Sequence, residues 1–188
     1  MKSFETYVCL LRGINVSGKN IIKMEALRES FQNSRLQNVQ TYLQSGNVVF
    51  RAPKKSCLDI QSKISKIIAD DFGFSPFVLV KTAHELQIIA KENPFLRDNG
   101  IDAKKLHVTF LSQTPNQATL KNMNAIDAKS DTFFCTGDIV YLLCSEGYGR
   151  TKLSNNAIER VLNVSATTRN WKTLCALNRI CAGKAAQG

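Results

Sequence analysis

No two of the six cysteines stand in a C-x-x-C arrangement, and neither histidine (His84, His107) has a second ligand at zinc spacing, so the common structural metal motifs are missing. Apolar runs last only a few residues, against the ~20 that a membrane helix needs. Met1–Thr6 lacks the basic start and long apolar stretch of a secretory signal. A soluble chain in a reducing cytoplasm is therefore expected. Cys9, Cys57, Cys135, Cys144, Cys175 and Cys181 would there be free thiols, and Cys9, Cys135 and Cys144 fall inside apolar runs where cysteine acts as a small hydrophobe. Disordered and fibrous classes are excluded by a composition of 44% hydrophobic and 21% charged residues, which is ordinary for a globular protein.

Acidic residues are also in deficit. Against 25 Lys and Arg stand 15 Asp and Glu, a formal charge of +10. The excess divides evenly about Pro94, with 13 basic and 8 acidic residues up to it and 12 and 7 after it. No tail or block carries the charge, so it belongs to a folded surface that suits anionic partners or simply aids solubility.

Apolar spacing gives the architecture. Thr6–Leu11 reads as a buried strand; Met24, Leu27 and Phe31 mark an amphipathic helix; the runs at 39–43 and 48–51 form a hairpin through Gln44-Ser45-Gly46-Asn47. Ile60, Ile64, Ile67 and Ile68 give a second helix ending near Gly73, and Phe77–Val80 a fourth strand. A helix over 83–92, stopped by Asn93-Pro94, bridges to a second half of the same order. There, strands are expected at 106–111, 132–135, 139–144 and 164–168, and helices after Pro115, around 157–162 and over 171–181. Two β-α-β-β-α-β units predict an α+β protein of two tandem ferredoxin-like (alpha-beta plait) subdomains. The expected limits are 1–82 for the first, 83–104 for the bridge, 105–182 for the second with the C-terminal helix, and 183–188 for a frayed tail.

Four polar segments interrupt these elements. They read Leu-Arg-Gly-Ile-Asn-Val-Ser-Gly-Lys-Asn over 11–20, Thr-Tyr-Leu-Gln-Ser-Gly-Asn-Val-Val-Phe over 41–50, Tyr-Gly-Arg-Thr-Lys-Leu-Ser-Asn over 148–155, and Ala-Thr-Thr-Arg-Asn-Trp-Lys-Thr over 166–173. They closely resemble the LRGINVGG, TYxQSGNVxF, YGRTKLSN and TTRNWxT signatures of a widespread bacterial family of uncharacterised proteins. Ser17 departs from the family's usual glycine. The resemblance implies two alpha-beta plait subdomains and no established activity.

The segments hold cations but no acid, histidine or cysteine, which argues against acid/base or nucleophilic chemistry within them. Gly13-x-x-x-x-Gly18-Lys19-Asn20 comes one residue from a phosphate-binding P-loop, but Asn20 stands where the magnesium-ligating hydroxyl would be, and the helix is expected only near Met24. Arg150 and Lys152 precede a helix whose N-cap is Ser154, with Leu153 and Ile158 as a hydrophobic staple. Cations at that end do not favour the helix dipole, and an anion would resolve the mismatch. Thr168 is the expected cap of the last helix, and Trp171 an anchor within the structure.

The expected ligand-binding residues are Arg12, Asn15, Lys19, Asn20, Gln44, Ser45, Asn47, Arg150, Lys152, Asn155, Arg169 and Asn170. The expected ligand is a phosphate-bearing or other anionic small molecule, with no cofactor, metal or membrane partner. Nucleic-acid binding, with Tyr7 and Phe50 as the aromatics available for stacking, an enzyme using Arg/Lys electrostatics, and a structural or interaction protein whose motifs serve the contact between the halves are the alternatives. Glu146 is the one carboxylate held in reserve. Oligomeric state is left open.

Overall fold

The computed structural model describes residues 3–16, 18–97 and 100–184. Ser17 and four of the six residues of the expected frayed tail lie outside them. The chain forms two units, one of residues 1–88 and 176–188, the other of residues 89–175. Two helices run across the division: α3 (Ala83–Lys91) and α6 (Trp171–Cys181).

The first unit follows the order β1 (Phe4–Arg12), α1 (Met24–Asn33), β2 (Gln37–Tyr42), β3 (Asn47–Pro53), α2 (Cys57–Phe72), β4 (Phe77–Thr82). Its antiparallel sheet runs β2-β3-β1-β4. Tyr7 lies opposite Phe50 on one side and Thr82 on the other. Alternation along β1 and β3 places Tyr7, Cys9, Leu11, Val48 and Phe50 in one core with Leu27 and Phe31 of α1 and the four isoleucines of α2. Each such side chain contributes about 1.5–3 kcal/mol by leaving water. Tyr7 stacks on Phe50 with ring centroids 5.8 Å apart, and Phe31 meets Phe50 edge-on at 6.0 Å. The Tyr7 hydroxyl donates to the Lys55 carbonyl at 2.8 Å and accepts from the Lys55 amide at 2.9 Å, so its burial leaves no polar atom stranded.

Local chemistry sets the helix ends. Ser56 caps α2 by accepting from the Asp59 amide at 3.1 Å, and Gly73 closes it at φ +75°. A capping box opens α3: the Thr82 amide donates to Glu85 Oε2 at 2.7 Å, and the Glu85 amide donates to Thr82 Oγ1 at 3.1 Å. Burial pushes the Glu85 carboxyl upward, but the hydrogen bonds from Thr82 and the nearby Lys81 more than reverse this, leaving its pKa lowered.

The second unit repeats the order with β5 (Leu106–Leu111), α4 (Gln117–Asn122), β6 (Thr132–Thr136), β7 (Ile139–Leu143), α5 (Asn155–Leu162) and β8 (Ala166–Asn170). Its sheet runs β6-β7-β5-β8, the same plait as the first. One bond shows the repeat directly. The Leu11 amide donates to the Gly46 carbonyl at 2.8 Å, and the Leu111 amide donates to the Asp138 carbonyl at 2.9 Å, each joining the end of a first strand to the turn before the third. Asn116 caps α4, so that helix starts two residues after Pro115, and Met123 continues it as a 3-10 turn. β8 runs to Asn170, which pairs with His107. Consequently Asn170, not Thr168, caps α6: its Oδ1 accepts from the Thr173 amide at 2.8 Å.

All six cysteines are free thiols. Burial raises Cys144 and Cys181 to about 11, and burial with the Glu85 charge raises Cys57 to about 11, so none of these three is a thiolate nucleophile at neutral pH. Among the described residues no helix is long and apolar enough to cross a membrane, and no three His, Cys, Asp or Glu side chains group to hold a metal.

Candidate functional site

In the first unit the first two polar segments close on each other. Asn15, at φ +54°, is the clasp. Its Nδ2 donates to the carbonyls of Ile22 and Gln44, both at 3.0 Å, its Oδ1 accepts from the Ile22 amide at 2.8 Å, and its amide donates to Asn20 O at 3.1 Å. Asn20, at φ +50°, donates from Nδ2 to Gly13 O at 2.8 Å. Asn tolerates this left-handed backbone better than other non-glycine residues. Asn47 is fully buried and donates to Tyr42 O at 3.0 Å and Ser45 Oγ at 2.9 Å.

Three asparagines of the expected ligand set thus hold the loops together. The P-loop likeness ends here. The Lys19 amide donates to Val16 O at 3.0 Å, and α1 starts at Met24, so neither the loop amides of Asn15 and Lys19 nor a helix start at Lys19 faces an anion. Arg12 is half-buried, and Lys19 and the Gln44 side chain are exposed.

In the second unit the third and fourth segments meet through a ring of hydrogen bonds. The Asn155 amide donates to the Tyr148 hydroxyl at 3.2 Å, that hydroxyl donates to Thr168 Oγ1 at 3.1 Å, and Thr168 donates back to Asn155 Oδ1 at 2.6 Å. Because the Thr168 proton is committed to Asn155, Thr109 Oγ1, 2.7 Å away, donates to Thr168. Each link polarises the next. The His107 ring stacks on Tyr148 with centroids 4.9 Å apart, and its Nδ1 lies 3.2 Å from Lys105 O. Sequence reasoning read His107, alternating with Thr109 along its strand, as structural and Thr168 as a helix cap, and did not single out the Tyr148 hydroxyl. The available signal was an otherwise apolar strand, Leu106–Leu111, that carries His107 and Thr109.

Burial lowers the His107 pKa below 6.5, against the opposing pull of the Lys105 carbonyl. The unfolded chain therefore binds the proton more readily than the native one, and stability falls as pH drops through about 6.5 towards the native pKa. The His107→Gln variant should lose less stability than the parent between neutral and mildly acidic pH in denaturant titrations. An equal loss would place the acid sensitivity elsewhere.

The expected cations separate. Arg169 is 8% exposed and donates from Nη1 to Thr167 Oγ1 at 2.7 Å and Thr168 O at 2.9 Å, so it is part of the packing. Arg150 points to solvent, 3.7 Å from an equally open Glu146, a pair of little energetic weight. Lys152 alone of the expected residues lines a cleft of about 630 Å³ at the start of α5, with Ser154, Arg160, Asn122, Ile126 and Asp127 among the other walls. Asn155 stands beside the cleft, turned into the ring. Ser154 caps α5, accepting from the Ala157 amide at 3.4 Å, and Leu153 and Ile158 share one core as the staple requires. Arg160 was missed because a cation on the polar side of a short helix reads as a solvated face.

These features define an α+β protein of two tandem ferredoxin-like subdomains whose polar signatures are folded into loop clasps. The profile described as "Protein of unknown function (DUF1697)" matches residues 4–141, and the chain belongs to that family. The matched span includes the first two segments; the third and fourth lie beyond it. Among solved structures the chain is similar to the conserved bacterial protein SP0830 from Streptococcus pneumoniae, at 21% identity and a TM-score of 0.71, over 95% of this chain and 99% of that one. That likeness shows the fold. A search of curated proteins finds no match.

Proposed function

We propose that the protein binds a phosphate-bearing or other anionic small molecule, in the cytoplasm, at the cleft that opens beside α5. The observation that carries this reading is the placement of Lys152 and Arg160 on one cleft, where Asp127 is the only carboxylate among the described lining residues. Thr151, Ser154 and Asn156 add short polar side chains to the same wall. Its volume of about 630 Å³ falls within the ordinary range for small-ligand sites. The positive end of α5 adds to the two side-chain charges.

Nucleic-acid binding ranks second. Its charge requirement is met equally well, but Tyr7 and Phe50, the aromatics that a stacking platform would use, are both 0% exposed. An enzymatic role would rest on the same two cations acting on a bound anion, with Asp127 as a carboxylate on the cleft wall.

Thermal-shift screening of the full chain against pyrophosphate, nucleotides, sugar phosphates and short RNA tests the proposal. A small anion should raise the melting temperature at both low and high salt, and the shift should vanish in Lys152→Ala and Arg160→Ala while Arg169→Lys changes only basal stability. A shift from RNA alone that collapses with salt would transfer the assignment to nucleic acid. No shift from any compound would remove the cleft as a ligand site.

A further inference from the structure

We infer that β6 is a pairing edge for a second copy of this chain. It ends the order β6-β7-β5-β8 and reads Thr-Phe-Phe-Cys-Thr, without charge or proline. Native sheets usually blunt such edges. The other outer strands show those devices: β2 has a register break beside Asn38 at φ +51°, β4 carries Lys81, and β8 carries Arg169.

The hairpin fixes which backbone groups face outward. Gly137, at φ +56°, and Asp138 make a two-residue turn closed by Thr136 opposite Ile139. The pair closing such a turn is hydrogen-bonded, so Thr132, Phe134 and Thr136 bond to β7, while Phe133 and Cys135 point their N–H and C=O groups away from it. An antiparallel second copy with its Cys135 opposite Phe133 satisfies these groups on both chains, about a two-fold axis at Phe134. The side chains agree with that register. Phe134, 49% exposed, meets its own counterpart in the closely spaced position between the hydrogen-bonded pairs. Phe133 and Cys135 stay packed against their own core, beside a groove of about 460 Å³ walled by Gln117, Leu120, Lys121 and Asn124, so pairing costs the core nothing.

Charge complementarity selects a second copy over an unrelated strand. Antiparallel pairing sets the turn before β6, closed by the Asp131 amide on Ala128 O at 2.9 Å, beside the hairpin tip of the other chain. Lys129, exposed on that turn, then faces Asp138 of the second copy, and symmetry makes the contact twice. The net charge of +10 on each chain opposes association, so the dimer is expected to be weak, with a dissociation constant of roughly micromolar order.

Sedimentation equilibrium of the full chain over a wide concentration range tests this. Wild type should dimerise reversibly. Phe134→Lys, with circular dichroism confirming its fold, should weaken the dimer by about tenfold or more. Lys129→Glu should weaken it by about threefold, and adding Asp138→Lys should restore it. A wild type that stays monomeric, or a dimer indifferent to Phe134→Lys, overturns the inference. A monomeric chain that instead binds a synthetic peptide alternating valine and glutamate assigns the edge to another protein and also overturns it.

Discussion

Replacing Gly46 by alanine is expected to destabilise the protein by about 4 kcal/mol. Two causes act together. Gly46 has φ +71°, where an L side chain costs about 1–2 kcal/mol. The new Cβ would also stand 2.7 Å from Leu11 Cβ and 2.9 Å from Ile14 Cδ1. Leu11 cannot retreat, because it is buried in the core of β1 and its amide is bonded to Gly46 O. Overpacking of this kind costs about 1–3 kcal/mol. For a chain of this size the melting temperature should fall by about 10 °C. Gly13→Ala separates the causes: φ there is +78°, but no atom lies within 4 Å of the added Cβ, so only the backbone cost of about 1 kcal/mol should appear. Equal effects at the two positions would mean that the close approach of the loops contributes nothing.

The second large effect is expected at Thr168. Thr168→Val keeps the shape but removes the hydroxyl on which Tyr148, Thr109 and Asn155 converge. Asn155 Oδ1 loses its donor and two hydroxyls lose their acceptor, for a cost of about 3 kcal/mol. Tyr148→Phe should cost about 1–2 kcal/mol, and the double variant less than the sum, because both changes break one ring. Urea titrations of the two single variants and the double variant give the coupling energy, expected at about 1 kcal/mol. Strict additivity would show that the hydroxyls act independently and that the ring is a geometric coincidence.

The element order was legible because each helix and strand carries its own period. The isoleucines of α2 recur at helical spacing, and β5 is apolar enough to be placed at both ends. Boundaries failed where a tertiary partner decided them. β8 was expected at 164–168, yet Val164 serves the core just after Asn163, the αL residue that ends α5, and the strand extends to Asn170 because His107 pairs with it. The cap of α6 moved for the same reason. The clasp at Asn15 and the ring at Thr168 were not legible, since their partners lie at separations of 29 residues (Gln44) and 59 residues (Thr109). Reading polar residues as ligand contacts was natural in a sequence, where a buried amide and a solvent-facing one look the same. The capping box at Thr82-x-x-Glu85 was written in the sequence and went unread.

The central claim is that anions bind where Lys152 and Arg160 face one cleft, and not at the glycine-rich loop of the first unit. Backbone amide shifts recorded by NMR while pyrophosphate is titrated into the full chain test it most directly. The account predicts saturable changes confined to residues 122–127 and 151–161, absent in Lys152→Ala. Saturable changes centred on residues 13–20 would contradict it.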